Sequence, residues 1–264
     1  MRSADLAKLC RKDIVNMTSA GNSAHVGSCL SCIDILSVLY FDILNIDPKN
    51  PLKKDRDIFI MSKGHAGAAL YSVLARKGFF NADDLLKHYQ NGSNFSGHVN
   101  SHLIKGIEVS TGSLGNGLGL ACGYAYNHKI INSRNKIYTL ISDGEMNEGS
   151  TWEAILFAAH HQLNNLTCIL DANGLQSIKS TTDTLNVEPL KAKLKHFNWD
   201  VIEISGHNHK ILSSSLRNET NIKPKFIIAR TIKGKGISFM ENKALWHYKN
   251  AKGTELINAL EELN

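Results

Sequence analysis

Hydrophobic and polar positions fall along this chain in blocks of two kinds. Four short runs rich in β-branched residues, at 136–142 (KIYTLIS), 166–170 (LTCIL), 201–204 (VIEI) and 226–230 (FIIAR), are mostly apolar rather than alternating. Strands with this pattern are buried on both faces, as in parallel sheets. Helical patterns lie between them at 151–163, 188–197 and 209–217. Strand, helix, strand at this spacing predicts an α/β fold, a parallel central sheet with helices on both faces. The N-terminal third predicts mostly helix, with 33–43 and 66–77 the best candidates and an amphipathic pattern over MRSADLAKLCRKDIVNM. Only four prolines occur, and no linker, repeat or low-complexity tract interrupts the chain, so a single domain over 1–264 is expected.

Composition changes this picture little. The 264 residues are 42% hydrophobic and 20% charged, enough for one large core. No window is expected to reach the roughly 18 apolar residues of a membrane span. The N-terminus lacks the apolar block of a signal peptide, so a cytoplasmic location is expected. The five cysteines, Cys10, Cys29, Cys32, Cys122 and Cys168, suggest no disulfide framework. Cys29 and Cys32 form a CxxC inside an apolar helical run, open to a packed-thiol or a redox or metal reading. The net charge of +6 comes without an arginine-rich arm or aromatic–basic alternation, which argues against a nucleic-acid partner. A solvated basic surface and a bias toward anionic ligands both fit it.

Candidate chemistry lies at two strand ends. SDGEMNEG follows the run at 136–142 and DANGLQ follows the run at 166–170, so Asp143 and Asn173 are one strand–helix–strand unit apart. Ligands of parallel sheets gather at the carboxyl ends of strands. A carboxylate, a carboxamide and a loop carbonyl are hard oxygen donors of the kind magnesium prefers. Gly144 lets a backbone approach a phosphate, and the helix beginning near Ser150 adds a favourable dipole. Plain turn chemistry explains Asp-Gly and Asn-Gly equally well on spacing alone. Glycine turns also surround His25 (SAHVGS), His65 (SKGHAG) and His98 (SGHVN); His247 stands in ENKALWHYKN, and STGSLGNGLG opens a helix from Ser110. GSLGNG lacks the Lys-Ser/Thr of a Walker A loop and a strong strand before it.

Together, SKGHAGAALYSVLARKGFF, GIEVSTGSLGNGLGLACG, SDGEMNEGSTWEAILFAAHHQLNNLTCILDANGLQ and IARTIKGKGISFMEN resemble transketolase, a thiamine-diphosphate enzyme, from about residue 5 onward. The likeness is to the N-terminal, diphosphate-binding half found as a separate subunit in split enzymes. The resemblance implies that Asp143, Asn173 and the main-chain carbonyl of Leu175 ligate Mg²⁺ or Ca²⁺ at the cofactor diphosphate. It implies backbone contact from Gly144, with His65 and His247 donating to diphosphate oxygens. Gly112, Ser113 and Leu114 would line the pyrimidine and thiazolium region. His25, His98 and His247 would face the substrate channel, and Glu148 resembles the acid linking two cofactor sites across a dimer interface. The implied reaction moves a two-carbon unit from a ketose or its phosphate to an aldose.

In this family the activating glutamate and most phosphate-gripping arginines lie in a pyrimidine-binding domain. The resemblance therefore implies a C-terminal partner subunit, an α₂β₂ heterotetramer and an inactive isolated chain. Val26 and Val99 stand where the family has proline, Tyr248 where it has glycine, and Ser142 where the motif's leading glycine belongs. These departures point to an altered sugar rather than an altered cofactor. Alternatives are a subunit of a deoxyxylulose-phosphate synthase-like or 2-oxo acid dehydrogenase-like enzyme, or a non-catalytic scaffold. His160 and His161 are expected to pack or face solvent, and His88, His102, His128, His196, His207 and His209 to lie on the surface. Lys233 and Lys235 fit either an anion contact or a solvated loop.

Overall fold

Five strands make the sheet, and four of them end at the site. The computed structural model describes residues 2–219 and 222–264. Strands β1 (Ile58–Met61), β2 (Ile137–Ser142), β3 (Leu166–Ala172), β4 (Asp200–Ser205) and β5 (Lys225–Arg230) form one sheet in the order β1-β2-β3-β5-β4. Every neighbouring pair is parallel, so all carboxyl ends share one edge. The four strands expected from the pattern are present; β1 is an addition. Its IFIM core is four residues long, and an apolar run that short has no period to distinguish strand from helix.

Side chains alternate across each strand, and both faces are covered. Phe59, Met61, Tyr138, Leu140, Ile169 and Ile227 pack beneath helices α1 (Ser3–Ala20), α2 (Val26–Val38), α3 (Gly67–Lys77), α8 (His209–Arg217) and α9 (Thr254–Glu262). Ile58, Ile60, Ile141, Cys168, Leu170 and Phe226 pack beneath α4 (Gly117–Ile130), α5 (Gly149–His160) and α7 (Leu190–His196). A short α6 (Thr181–Leu185) follows the DANGLQ turn.

Helix α2 corrects two expectations. Helix begins at Val26, not near residue 33, and every residue of α2 is buried, so no polar face marks its start. The stretch Val26–Ile43 is also long and apolar enough, by length and composition, to cross a membrane, contrary to the expectation that no window comes close. Of that stretch, 83% is buried inside the fold, against α1, α3 and α8. A helix enclosed on all sides is apolar on all sides. The five cysteines are unpaired and buried. Burial pushes the Cys29 thiol up to about 11, and Cys32 Sγ points to the Ser28 carbonyl of its own helix at 3.4 Å, which favours the packed-thiol reading.

Candidate active site

The carboxyl ends of β1, β2, β3 and β5 open into one cleft of about 270 Å³. His25, His65, His98, His247, Gly112, Leu114, Asp143, Gly144, Asn173 and Leu175 all line it. Ser113 and Glu148 do not; both are exposed, and Glu148 packs against the Gly115 turn.

Each histidine is set by its own backbone device. His25 caps α2 in a left-handed conformation (φ 74°), which costs a non-glycine residue about 1 kcal/mol or more, and its N–H donates to the His247 carbonyl at 2.8 Å. His65 sits in a tight turn directly after β1. A Cβ at the preceding Gly64 would stand 2.2 Å from the Thr111 carbonyl oxygen, so only glycine fits. At His98, Val99 donates its N–H to the Gly64 carbonyl at 3.2 Å, a bond proline could not make. The hydroxyl of Tyr71 also holds the His98 carbonyl at 2.8 Å. The missing proline is thus offset by hydrogen bonding. The ring of His25 lies 5.2 Å from His65, 5.5 Å from His98 and 4.8 Å from His247.

Burial, followed by neighbouring rings and Lys233 or Lys63, lowers His25 to about 4. Burial and then Lys233 lower His247 to about 3, and His65 and His98 are also lowered, burial being the first cause in each. The rings are therefore neutral near pH 7, each with one donor and one acceptor nitrogen.

The metal-candidate residues form the opposite wall. Burial, together with the nearby Asp171 carboxylate, pushes Asp143 up to about 7 despite the Gly174 N–H that donates to it at 3.0 Å. A cation beside it would restore the charged form. Asn173 Oδ1 accepts the Leu175 N–H at 3.1 Å, which folds the DANGLQ turn toward Asp143. A Cβ on Gly144 would stand 3.2 Å from Leu114, in the space between the two walls. One carboxylate and two neutral oxygens make a hard, oxygen-only donor set. No group of three His, Cys, Asp or Glu residues able to hold a metal occurs among the described residues.

Beneath this wall lies a charge pair not anticipated from the sequence. Lys63 and Asp171, with side chains 1% and 0% exposed, form an ion pair, and Asp171 also accepts from Ser31 Oγ at 2.5 Å and from Thr231 Oγ1. Burial alone would neutralise both. Mutual attraction overrides it, holding Lys63 above and Asp171 below its ordinary value. Lys233 is also buried, 1% exposed, with Nζ 3.0 Å from the Gln176 carbonyl and 3.1 Å from His247 Nδ1. Of its two readings, this burial removes the solvated loop for Lys233. Burial and then Lys63 lower it to about 8, so it keeps substantial charge at neutral pH. The signals for these residues were present as a Lys before Gly-His and an Asp two residues before Asn173.

Of the histidines expected at the surface, His88 is buried and His207 and His209 are part-buried. His88 is 2% exposed with Nε2 3.0 Å from Ser23 Oγ, and burial lowers it to about 4. His207 and His209 grip Asp34 at 2.7 and 3.0 Å beside Arg11. Because the native state keeps His88 neutral, stability from this site is full above about 6.5 and is lost as pH falls toward 4. His88→Gln should therefore gain on the wild type by up to about 1.4 kcal/mol per pH unit below 6.5. Thermal midpoints of both chains from pH 7.5 to 4.5 check this; a difference that does not change with pH would contradict it.

A family model described as the transketolase thiamine diphosphate binding domain matches residues 2–262. The chain belongs to the transketolase family. An apulose-4-phosphate transketolase subunit from Actinobacillus succinogenes is 42% identical over 254 residues, covering 96% of this chain and 92% of that protein. The 6-deoxy-6-sulfo-D-fructose transketolase subunit SqwG of a Clostridium species is 40% identical over 233 residues, covering 88% and 84%. The transketolase of Leishmania mexicana matches the fold with a TM-score of 0.95 at 27% identity, over 100% of this chain and 41% of that one. This transketolase chain is the N-terminal, thiamine-diphosphate-binding subunit type and serves ketol transfer.

Proposed function

We propose that this transketolase subunit holds thiamine diphosphate through Mg²⁺ or Ca²⁺. With a C-terminal, pyrimidine-binding subunit, it would then move a two-carbon unit between sugars that carry a terminal anion. One observation carries the reading. The oxygen-donor residues Asp143, Asn173 and Leu175 share one cleft with Gly112, Leu114 and four neutral histidines.

Bound there, thiamine diphosphate supplies the nucleophilic carbon that accepts and passes on the two-carbon unit. The chain's own residues hold, orient and exclude water. Asp143, the Asn173 amide oxygen and the Leu175 carbonyl would hold the metal. The Gly144 backbone, His65 and Lys233 would hold the diphosphate. Lys233 brings the positive charge, because Lys63 is already neutralised by Asp171. His25, His98 and His247 would bond the sugar hydroxyls, and neutral rings suit hydroxyls whose protons move in the reaction. Exposed Glu148 and Ser113 face outward, where a second subunit would meet them.

The partner reading is supported by relatives named as subunits that this chain covers almost end to end. The purified chain alone should give no measurable ketol transfer, and adding the C-terminal subunit should restore it in an α₂β₂ particle by sedimentation. Ordinary turnover by the chain alone would sink this. The sugar reading draws on the same relatives' names and on Tyr248, which is 60% exposed with its ring 5.0 Å from His247. Together they point to a specialised sugar rather than a common pentulose phosphate; rates with xylulose 5-phosphate, apulose 4-phosphate and 6-deoxy-6-sulfofructose test this, and a plain preference for the first would remove it.

A further inference from the structure

The turn after β2 holds a carboxylate with no assigned role. Glu145 is 0% exposed, and both its oxygens are occupied. Oε1 accepts from Ser62 Oγ and, at 3.2 Å, from the Gly115 N–H. Oε2 accepts from the Ser142 N–H at 2.9 Å and faces Ser142 Oγ at 3.4 Å, closing a capping box over the turn that contains Asp143 and Gly144. With its proton given to Glu145, the Ser62 hydroxyl is left to accept the Gly117 N–H at 3.1 Å, at the start of α4.

One carboxylate therefore ties three segments distant in sequence. Ser62 precedes Lys63 and His65 at the end of β1; Ser142 precedes Asp143 at the end of β2; Gly115 follows Gly112, Ser113 and Leu114. The glycine loop belongs to no strand and is held by single contacts: Thr111 Oγ1 donates to the Met61 carbonyl at 2.5 Å, and Ser150 Oγ to the Gly115 carbonyl at 3.0 Å. Glu145 adds a buried tie from that loop to the ends of both β1 and β2 at once. From this geometry we infer that Glu145 is a positioning residue, setting the distance between the Asp143 turn and the Gly112–Leu114 wall and so the width of the cofactor cleft. The inference rests on the cofactor reading above.

Glutamine has nearly the same shape but must present an N–H₂ on one side. At the Oε1 position it meets the Gly115 N–H, and at the Oε2 position the Ser142 N–H. Donor faces donor either way, and one segment is released. Glu145→Gln and the milder Ser62→Ala, each in the complex with the partner subunit, are to be titrated with thiamine diphosphate at saturating Mg²⁺, following tryptophan fluorescence and turnover. We expect the cofactor dissociation constant to rise about tenfold for Glu145→Gln and about threefold for Ser62→Ala. The sugar KM, and the kcat at saturating cofactor, should stay within about twofold of wild type, as for an interaction that acts on binding alone. Thermal midpoints without cofactor separate a purely structural role. If Glu145→Gln lowers that midpoint while its cofactor affinity equals that of the wild type, the inference is overturned. If the wild-type complex itself fails to bind the cofactor, the reading beneath it fails instead.

Discussion

Asp143→Asn should cost the complex at least about 100-fold in metal-dependent thiamine diphosphate affinity, since even supporting residues of metal sites are worth about 10–100-fold. The same substitution should stabilise the metal-free chain. Burial and the neighbouring Asp171 raise Asp143 to about 7, far above its unfolded value, so its ionisation opposes folding. That cost is absent below about pH 4, grows as pH rises, and is complete above about 7. Removing the charge should return on the order of 1–4 kcal/mol at pH 8, visible as a higher thermal midpoint in chelator. Adding Mg²⁺ with the cofactor should reverse the ranking, because only the wild type is then stabilised. An Asp143→Asn chain that bound cofactor normally would refute the metal assignment, and one no more stable in chelator at pH 8 would refute the buried-charge cost. The site would thus hold a stability cost that the bound metal relieves.

The second large effect concerns the floor of the cleft. Removing Asp171 leaves Lys63 buried and uncompensated, which for such pairs costs about 3–5 kcal/mol. Asp171→Ala should therefore lower the thermal midpoint by roughly 10 °C. Lys63→Met combined with Asp171→Leu should recover most of that loss, since an apolar pair of similar volume tolerates the dry site. It should not recover cofactor affinity, because Asp171 also lies 3.5 Å from Asn173 Nδ2 and orients that side chain. A single Asp171→Ala costing under about 1 kcal/mol would show that the pair is not a structural element.

Much of the fold was legible because burial leaves a local signature. Runs buried on both faces are apolar throughout, as β2, β3 and β5 are, whereas edge strand β4 buries only Val201 and was legible from its β-branched residues. Glycine turns around the histidines were equally legible, because close backbone approaches such as Gly64 against Thr111 exclude every other residue. Where periodicity carries no information, local reading failed. β1 is too short to show a period, and α2 is enclosed on all sides, so its apolar stretch mimics a membrane span.

What the sequence by itself determined was the set of chemical groups and the turns that present them: Asp143 and Asn173 at strand ends, three histidines in glycine-bounded turns, and His247 in ENKALWHYKN. The tertiary structure alone decided which distant charges answer them. Lys63, Asp171 and Lys233 belong to three different segments, and only the order β1-β2-β3-β5-β4 brings the ends of β1, β3 and β5 to one edge. A buried lysine and a solvated one are written with the same letter. Burial and the opposing carboxylate, both products of packing, decide whether it neutralises a neighbour or waits for an anion.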